Sequence, residues 1–178
     1  MSARLPRRGL FGIAAAGALA GCGFQPVYMP TASGKPGVAA RELAAVDVHP
    51  IQDRPGQLLR QALQERFASD GDTRHRYDLK VDFWIAGESI GILPDTTASR
   101  VRLTGTANWT LTARDATRSA LASGSARVLD GFNQFDTQYF ATVLETEKVE
   151  QRIAEAVADQ VAMQLAIWFR KRANPAVG

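Results

Sequence analysis

Apolar and polar residues alternate along the middle of the chain in the pattern of half-buried β-strands. The clearest run is Val101–Thr112, and Tyr77–Ala86 has the same two-residue period. Ala120–Asp130 forms a third run after a polar turn at 115–118, with small residues on one face. A two-residue period places one strand face on a core and the other in water, as antiparallel sheets do. We therefore predict three successive antiparallel strands.

Two further segments have the spacing of amphipathic helices. The first begins at Arg54-Pro55, because proline is tolerated in the first helical turn. The second begins at Thr142, which can form a capping box with Glu145, and ends in the basic residues 170–172, which suit the negative end of the helix dipole. The predicted core stripe of this helix is Val149, Ile153, Val157, Val161, Leu165 and Trp168.

A short strand ahead of the first helix completes the predicted fold. This predicted strand, Leu43–His49, stops at Pro50, which has no N–H to donate to a sheet. The element order is then β-α-β-β-β-α. Since both helices need a core-facing partner, we predict an α+β two-layer sandwich, with two helices packed on one face of a four-stranded, mostly antiparallel sheet. This single domain would span residues 41–172 and be followed by a C-terminal tail, 173–178.

The first 22 residues have the pattern of a lipoprotein export signal. Three arginines precede an uncharged run of 12 residues, 9–20, which is too short to cross a bilayer but suits a signal peptide. The run ends in Leu19-Ala20-Gly21-Cys22, which resembles the bacterial lipobox, and Cys22 is the only cysteine of the chain. We predict a signal peptide over 1–21, lipidation at Cys22, and a flexible tether over 22–40.

The predicted lipid at Cys22 would hold the domain on the periplasmic side of a membrane. Residue 23 is glycine and not the aspartate that retains enterobacterial lipoproteins in the inner membrane, so we expect the outer membrane. The pair Arg7-Arg8 leaves both general secretion and twin-arginine export open. A single cysteine rules out an internal disulfide and a cysteine-based zinc site.

Charge is balanced in the predicted domain, although the whole chain is basic. Lysine and arginine total 21 against 18 acidic residues, but Arg4, Arg7 and Arg8 all lie in the signal peptide. The remaining 18 basic residues match the 18 acidic residues. Proteins that bind nucleic acid carry their excess positive charge on the folded domain. We therefore expect no nucleic-acid partner.

Sequence motifs for catalysis do not form a consistent set. Gly87-Glu88-Ser89-Ile90-Gly91 matches the G-x-S-x-G pattern of a hydrolase nucleophile, but no helix-forming residues follow and no histidine comes later in the chain. We interpret these glycines as a hairpin turn or bulge. His49 and His75 have no partner at a metal-ligand spacing. We expect no enzyme activity, no metal and no cofactor.

Four segments of the chain resemble the LptE family of lipopolysaccharide-assembly lipoproteins. They are the cysteine-centred start Gly21–Tyr28, the helix Leu58–Leu63, the strand Arg100–Leu103, and Tyr139–Ala141 before the long C-terminal helix. Gly131-Phe132-Asn133 departs from the Ser-Tyr-Asn-like run that is usual ahead of that helix. The resemblance extends over nearly the whole mature chain.

The resemblance implies a plug inside the β-barrel of LptD, where the two proteins move lipopolysaccharide to the outer leaflet of the outer membrane. It also implies direct contact with lipopolysaccharide, whose phosphates need cations. Arg100 and Arg102 share a strand face near a hairpin tip, and Arg127 lies on a neighbouring strand, so these three are the candidate residues. They can equally be ordinary solvated arginines. An unrelated scaffold lipoprotein and a periplasmic lipid carrier are the alternative functions.

Overall fold

Three helices and four strands form the part of the chain that the computed structural model describes, residues 36–67, 74–92, 98–133 and 139–174. In chain order they are α1 (Val38–Ala44), β1 (Val46–Val48), α2 (Asp53–Phe67), β2 (Tyr77–Ile92), β3 (Ala98–Ala113), β4 (Ala120–Asn133) and α3 (Tyr139–Ala173). The predicted α+β class and the order β-α-β-β-β-α are confirmed, and one helix, α1, is added before β1.

The four strands form one mixed sheet in the order β1-β2-β3-β4. Strand β1 pairs with β2 in parallel, whereas β2–β3 and β3–β4 are antiparallel. The β2–β3 register runs unbroken from Tyr77 opposite Ala113 to Ile92 opposite Ala98. In the β3–β4 pair the register shifts between Leu111 and Thr112. The central hairpin is therefore a long ribbon that continues well beyond the short strand β1.

All the packed helices lie against one face of this sheet. Helix α3 contacts β3 and β4, α2 contacts β1, β2 and α3, and α1 packs on α3. The inner residues of the sheet alternate as predicted, and the α3 stripe is buried except for the partly buried Trp168. The core residues with the least exposure include Leu79, Ala107, Leu111, Val149, Ile153, Val157, Val161 and Leu165.

Amide side chains of α3 satisfy part of the free edge of β4. The amide of Gln160 accepts from the Arg127 N–H at 3.3 Å and donates to the Arg127 carbonyl at 3.4 Å. Gln164 donates to the Ser125 carbonyl at 3.0 Å and accepts from the indole N–H of Trp109 at 2.9 Å. Unpaired strand edges invite pairing with other chains, and these glutamines block the middle of this edge.

The predicted strand Leu43–His49 is wrong at its start. Leu43 belongs to α1 and is buried at 1% exposure, and the strand proper is only Val46–Val48. The helix also includes Val38–Ala40, so the last three residues of the predicted tether are helical. A seven-residue helix is too short to display a clear helical period, and the apolar residues 43–45 lead directly into the alternating strand residues Val46, Asp47 and Val48.

Two local predictions also need correction. Helix α3 begins at Tyr139, so Thr142 lies inside its first turn and is not the N-cap; its carbonyl accepts from the Thr146 hydroxyl at 2.9 Å. Gly87 and Ser89 are ordinary paired positions of β2, and not a turn or a bulge, because β2 runs on to Ile92. The segment 93–97 that links β2 to β3 lies outside the described residues.

The predicted signal peptide 1–21, Cys22, most of the tether 22–40 and most of the tail 173–178 lie outside the described residues and stay predictions. Within the described residues, no helix is both long enough and apolar enough to cross a membrane.

Candidate interaction surface

The face of the sheet that points away from the helices has no packing partner among the described elements. Its central row lies on β3 and consists of Arg100, Arg102, Thr104, Thr106, Asn108, Thr110 and Thr112. These side chains are half-buried or exposed, while the intervening inner residues of β3 are mostly buried. The two-residue period of β3 thus produces a polar outer face with two basic residues at the hairpin end.

Arg100 and Arg102 stand side by side at that end, as the sequence predicts. Arg102 has Glu88 and Gly131 as its cross-strand neighbours, and its guanidinium lies 3.8 Å from the Glu88 carboxylate. Both side chains of this pair are half exposed or more, so water screens the attraction and the pair contributes little to stability. Arg100 forms no ion pair with the described part of the chain.

A groove of about 430 Å³ opens beside these two arginines, and it is lined by Ile90, Arg100, Arg102, Leu129, Asp130 and Gly131. Among the described lining residues the one carboxylate is that of Asp130, which accepts from Arg152 at 2.8 Å and from the Gly131 N–H at 2.7 Å. The hydrogen bond from Arg152 lowers the pKa of Asp130, which outweighs the opposing effect of burial. Since Arg152 holds Asp130, this carboxylate forms no ion pair with Arg100 or Arg102.

Arg127 lies on the neighbouring strand, as predicted, but not in the groove. It is paired with Thr106, four residues along β3 from Arg102, which corresponds to about 13 Å. Its backbone N–H and carbonyl are held by Gln160, while its side chain is exposed. The structure therefore brings Arg100 and Arg102 together and leaves Arg127 apart.

Two exposed hydrophobic side chains on the same face are absent from the sequence prediction. Trp84 is 48% exposed and lies opposite Thr106, and Leu129 is 57% exposed and lies opposite Thr104. Both occupy positions that the two-residue period assigns to the outer, polar face of their strands. A large hydrophobic residue at such a position is the signal that could have identified them. With Arg127 and Arg102 on neighbouring rows, they give this face a mixed basic and apolar character.

The opposite end of the outer face is closed by ion pairs. Arg114 lies 2.6 Å from both the Asp47 and the Asp78 carboxylates, and His49 Nε2 lies 3.4 Å from Asp78. Burial opposes ionisation of Asp78, but the hydrogen bond and charge of Arg114 outweigh it and lower the pKa of this carboxyl. This cluster ties β1 to β2 and to the end of β3.

The described residues show neither a nucleophile elbow at Ser89 nor a cluster of metal ligands. Ser89 is an exposed residue in the middle of a strand, so it lacks the strand-to-helix turn that a nucleophile elbow requires. No group of three or more His, Cys, Asp or Glu side chains within those ranges could hold a metal ion.

Comparison with known proteins identifies the family. Residues 43–165, well over half of the chain, match the family model described as "LptE: Lipopolysaccharide-assembly". The chain belongs to the LptE family. No curated protein matches it.

Solved structures with this fold are lipoproteins of low sequence identity. A lipoprotein from Caulobacter crescentus CB15 is 20% identical, with a TM-score of 0.60 over 75% of this chain and 96% of its own. The rare lipoprotein B from Shewanella oneidensis is 10% identical, with a TM-score of 0.57 over 72% of this chain and 98% of its own. At these identities the likeness shows the shared LptE-type fold, and the family match supports a role in lipopolysaccharide assembly.

Proposed function

We propose that this LptE family member is an outer-membrane lipoprotein, anchored through Cys22, that plugs the β-barrel of an LptD-like partner. Together the two proteins would assemble lipopolysaccharide at the outer leaflet. The protein has no catalytic part in this proposal. Its role is to occupy the barrel and to present a surface to lipopolysaccharide.

The uncovered outer face of the sheet is the observation that carries this proposal. Barrel lumens of outer-membrane proteins are polar. The threonine and asparagine row of β3 suits contact with such a wall, because hydroxyl and amide groups can exchange water for barrel side chains as hydrogen-bond partners. The ion-paired Arg114 end of the same face adds little net charge, which also favours a close fit inside a barrel.

Contact with lipopolysaccharide is assigned to Arg100 and Arg102. Guanidinium groups bind phosphates through paired, charge-assisted hydrogen bonds. Ile90 and Leu129 line the same groove, so apolar atoms of a lipid would find partners beside the charged groups. Arg127, about 13 Å from Arg102, would contribute through a separate contact and to a smaller extent.

Affinity purification from outer membranes, followed by mass spectrometry, tests the partner. We expect one large β-barrel protein to co-purify with the tagged, full-length chain. Depletion of the chain should then lower the amount of that barrel that is correctly assembled, and raise sensitivity to large hydrophobic antibiotics. Normal assembly of the barrel without this chain would contradict the plug. Bound lipid in the absence of any barrel partner would instead support a periplasmic carrier.

Charge reversal at the groove tests the lipid contact. Arg100→Glu with Arg102→Glu should weaken lipopolysaccharide binding by the purified protein about tenfold or more, and the remaining binding should depend less on salt. Lys80→Glu with Lys171→Glu makes the same change in net charge and is the matched control, because Lys80 lies opposite Thr110 and Lys171 follows Arg152 by 19 residues, about 28 Å along α3. Equal weakening in both double variants would show a general charge effect, and unchanged binding in the first would place the contact elsewhere.

A further inference from the structure

A second basic surface lies at the end of the domain opposite the Arg100–Arg102 groove. Arg74, Arg76, Arg114 and Arg172 line a cavity of about 610 Å³, and Asp115 is the one acidic residue among its described lining residues. Fourteen residues of β3 and its continuation separate Arg100 from Arg114, a distance of about 45 Å along the sheet. The two basic surfaces therefore cannot bind the same headgroup.

Two of the four arginines that line this cavity are paired with acidic residues, and two are not paired with any described acidic residue. Arg76 is paired with Glu42 at 2.8 Å, and Arg114 is paired with Asp47 and Asp78. Arg74 and Arg172, in contrast, form no ion pair with the described residues; the Arg172 guanidinium lies 5.2 Å from the centre of the Trp168 ring.

The acidic lining residue forms no ion pair with these arginines. Asp115 accepts hydrogen bonds from the Thr117 hydroxyl and from the backbone N–H groups of Thr117 and Arg118, which hold it in its own turn. Arg74 and Arg172 thus present, at a concave surface, two guanidinium groups that have no ion pair with the described residues, a geometry that suits an oxyanion with several acceptor atoms.

Helix α1, the first described element of the chain, begins beside this cavity. Val38, Glu42, Tyr77, Phe169, Arg172 and Ala173 line a neighbouring cavity of about 230 Å³. Tyr77 and Arg172 line both cavities, so the start of α1 lies beside the basic one. Cys22 precedes Val38 by 16 residues, which span at most about 55 Å.

We propose that the cavity lined by Arg74 and Arg172 binds the phosphate of an anionic phospholipid headgroup in the leaflet that holds the anchor. The choice of a membrane lipid rests on the proposed lipidation at Cys22, whereas the anion site rests on the arginines alone. Bound in this way, the headgroup would fix the orientation of the domain at the membrane, which a 16-residue connection to the lipid cannot do by itself.

Calorimetric titration of the full-length protein in a neutral detergent tests this site. The probes are dihexanoylphosphatidylglycerol, its zwitterionic counterpart dihexanoylphosphatidylcholine, and inorganic phosphate. We expect the anionic lipid to bind most tightly, and Arg74→Gln with Arg172→Gln to weaken its binding about fivefold to tenfold. Lys148→Gln, 24 residues before Arg172 on α3 and so about 36 Å away, is the control and should have no effect.

The other outcomes overturn the proposal in different ways. Equal affinity for both lipids, or unchanged affinity for the anionic lipid in the double variant, would contradict the proposed site. Inorganic phosphate bound as tightly as the anionic lipid would indicate a site for a free ion. Since both arginines are exposed and form no ion pair with the described part of the chain, thermal unfolding of the variant should stay close to wild type and verify its fold. A chain that is not lipidated but keeps the arginine-dependent binding would contradict the anchor and leave the anion site standing.

Discussion

Gly105→Ala should destabilise the domain although it adds a single methyl group. Gly105 lies on the inner face of β3, directly under α3, and its position is buried. A Cβ built there would overlap Cγ2 of Ile153, a residue with no exposed surface, and would touch the Phe83 ring at 3.4 Å. A branched side chain inside a packed helix cannot swing away as the tip of a long side chain can.

The size of the stability loss follows from two opposing effects, overpacking of the core and the conformational entropy of the unfolded chain. Forcing a methyl group into a filled core costs about 1–3 kcal/mol. Replacing glycine in a strand regains about 0.5–1 kcal/mol, because the unfolded chain loses freedom. The free energy of unfolding should therefore fall by about 1–2 kcal/mol, which lowers the Tm by roughly 3–8 °C for a domain of this size.

Denaturant unfolding of four proteins measures the effect: wild type, Gly105→Ala, Ile153→Ala and the double variant. Ile153→Ala alone should cost about 2–4 kcal/mol, because it leaves a cavity. In the double variant the added methyl group enters that space. The loss measured for the double variant should therefore be smaller than the sum of the two single losses by about 1 kcal/mol or more. Gly87→Ala is the control in the same hairpin, since its Cβ would meet only the flexible tip of Leu103 at 3.2 Å. Losses that simply add in the double variant, or a free energy of unfolding that Gly105→Ala leaves unchanged, would refute this account of how α3 packs.

Four further predictions concern the core, the charges and the motifs. Leu165→Asp places a charge at a fully buried position of α3 and should lower the free energy of unfolding, measured with denaturant, by several kcal/mol. Arg152 lowers the folded-state pKa of Asp130, so the stability that this ion pair contributes is present at neutral pH and is lost as the pH falls through that pKa. The difference in the free energy of unfolding between wild type and Arg152→Gln should therefore shrink below about pH 4. Cys22→Ala should abolish labelling with radioactive palmitate, and normal labelling would contradict the lipobox. Ser89→Ala should leave barrel assembly unchanged, and a specific loss with normal folding would reopen the G-x-S-x-G motif.

Periodicity predicted the parts of the fold whose period is long and regular. Strand β3 and the stripe of α3 each repeat over many residues, so every added residue reinforced one interpretation. Helix α1 was missed because its seven residues, between a proline-rich segment and β1, owe their structure to packing of Leu43 in the core. The parallel pairing of β1 with β2 could not be predicted from periodicity either, because it depends on where the chain returns after α2.

The candidate site was predictable only in part for the same reason. Arg100 and Arg102 lie two residues apart on one strand, so a local period suffices to put them on one face. The offset of Arg127 depends on the β3–β4 register, which tertiary packing and the shift near Leu111 determine. The cavity near Arg172 required the folded structure, because it joins elements that are distant in sequence. The exposure of Trp84, in contrast, was predictable from its place among the polar positions of β2.

Site-specific photo-crosslinking at Thr106 tests the central claim most directly. Thr106 lies at the middle of the outer face, between Trp84 and Arg127, where a barrel wall would cover it. A photoreactive amino acid placed there in living cells should form one dominant crosslink, to a large outer-membrane β-barrel protein. The absence of any crosslink to a membrane protein, with the chain folded and located at the membrane, would contradict the plug.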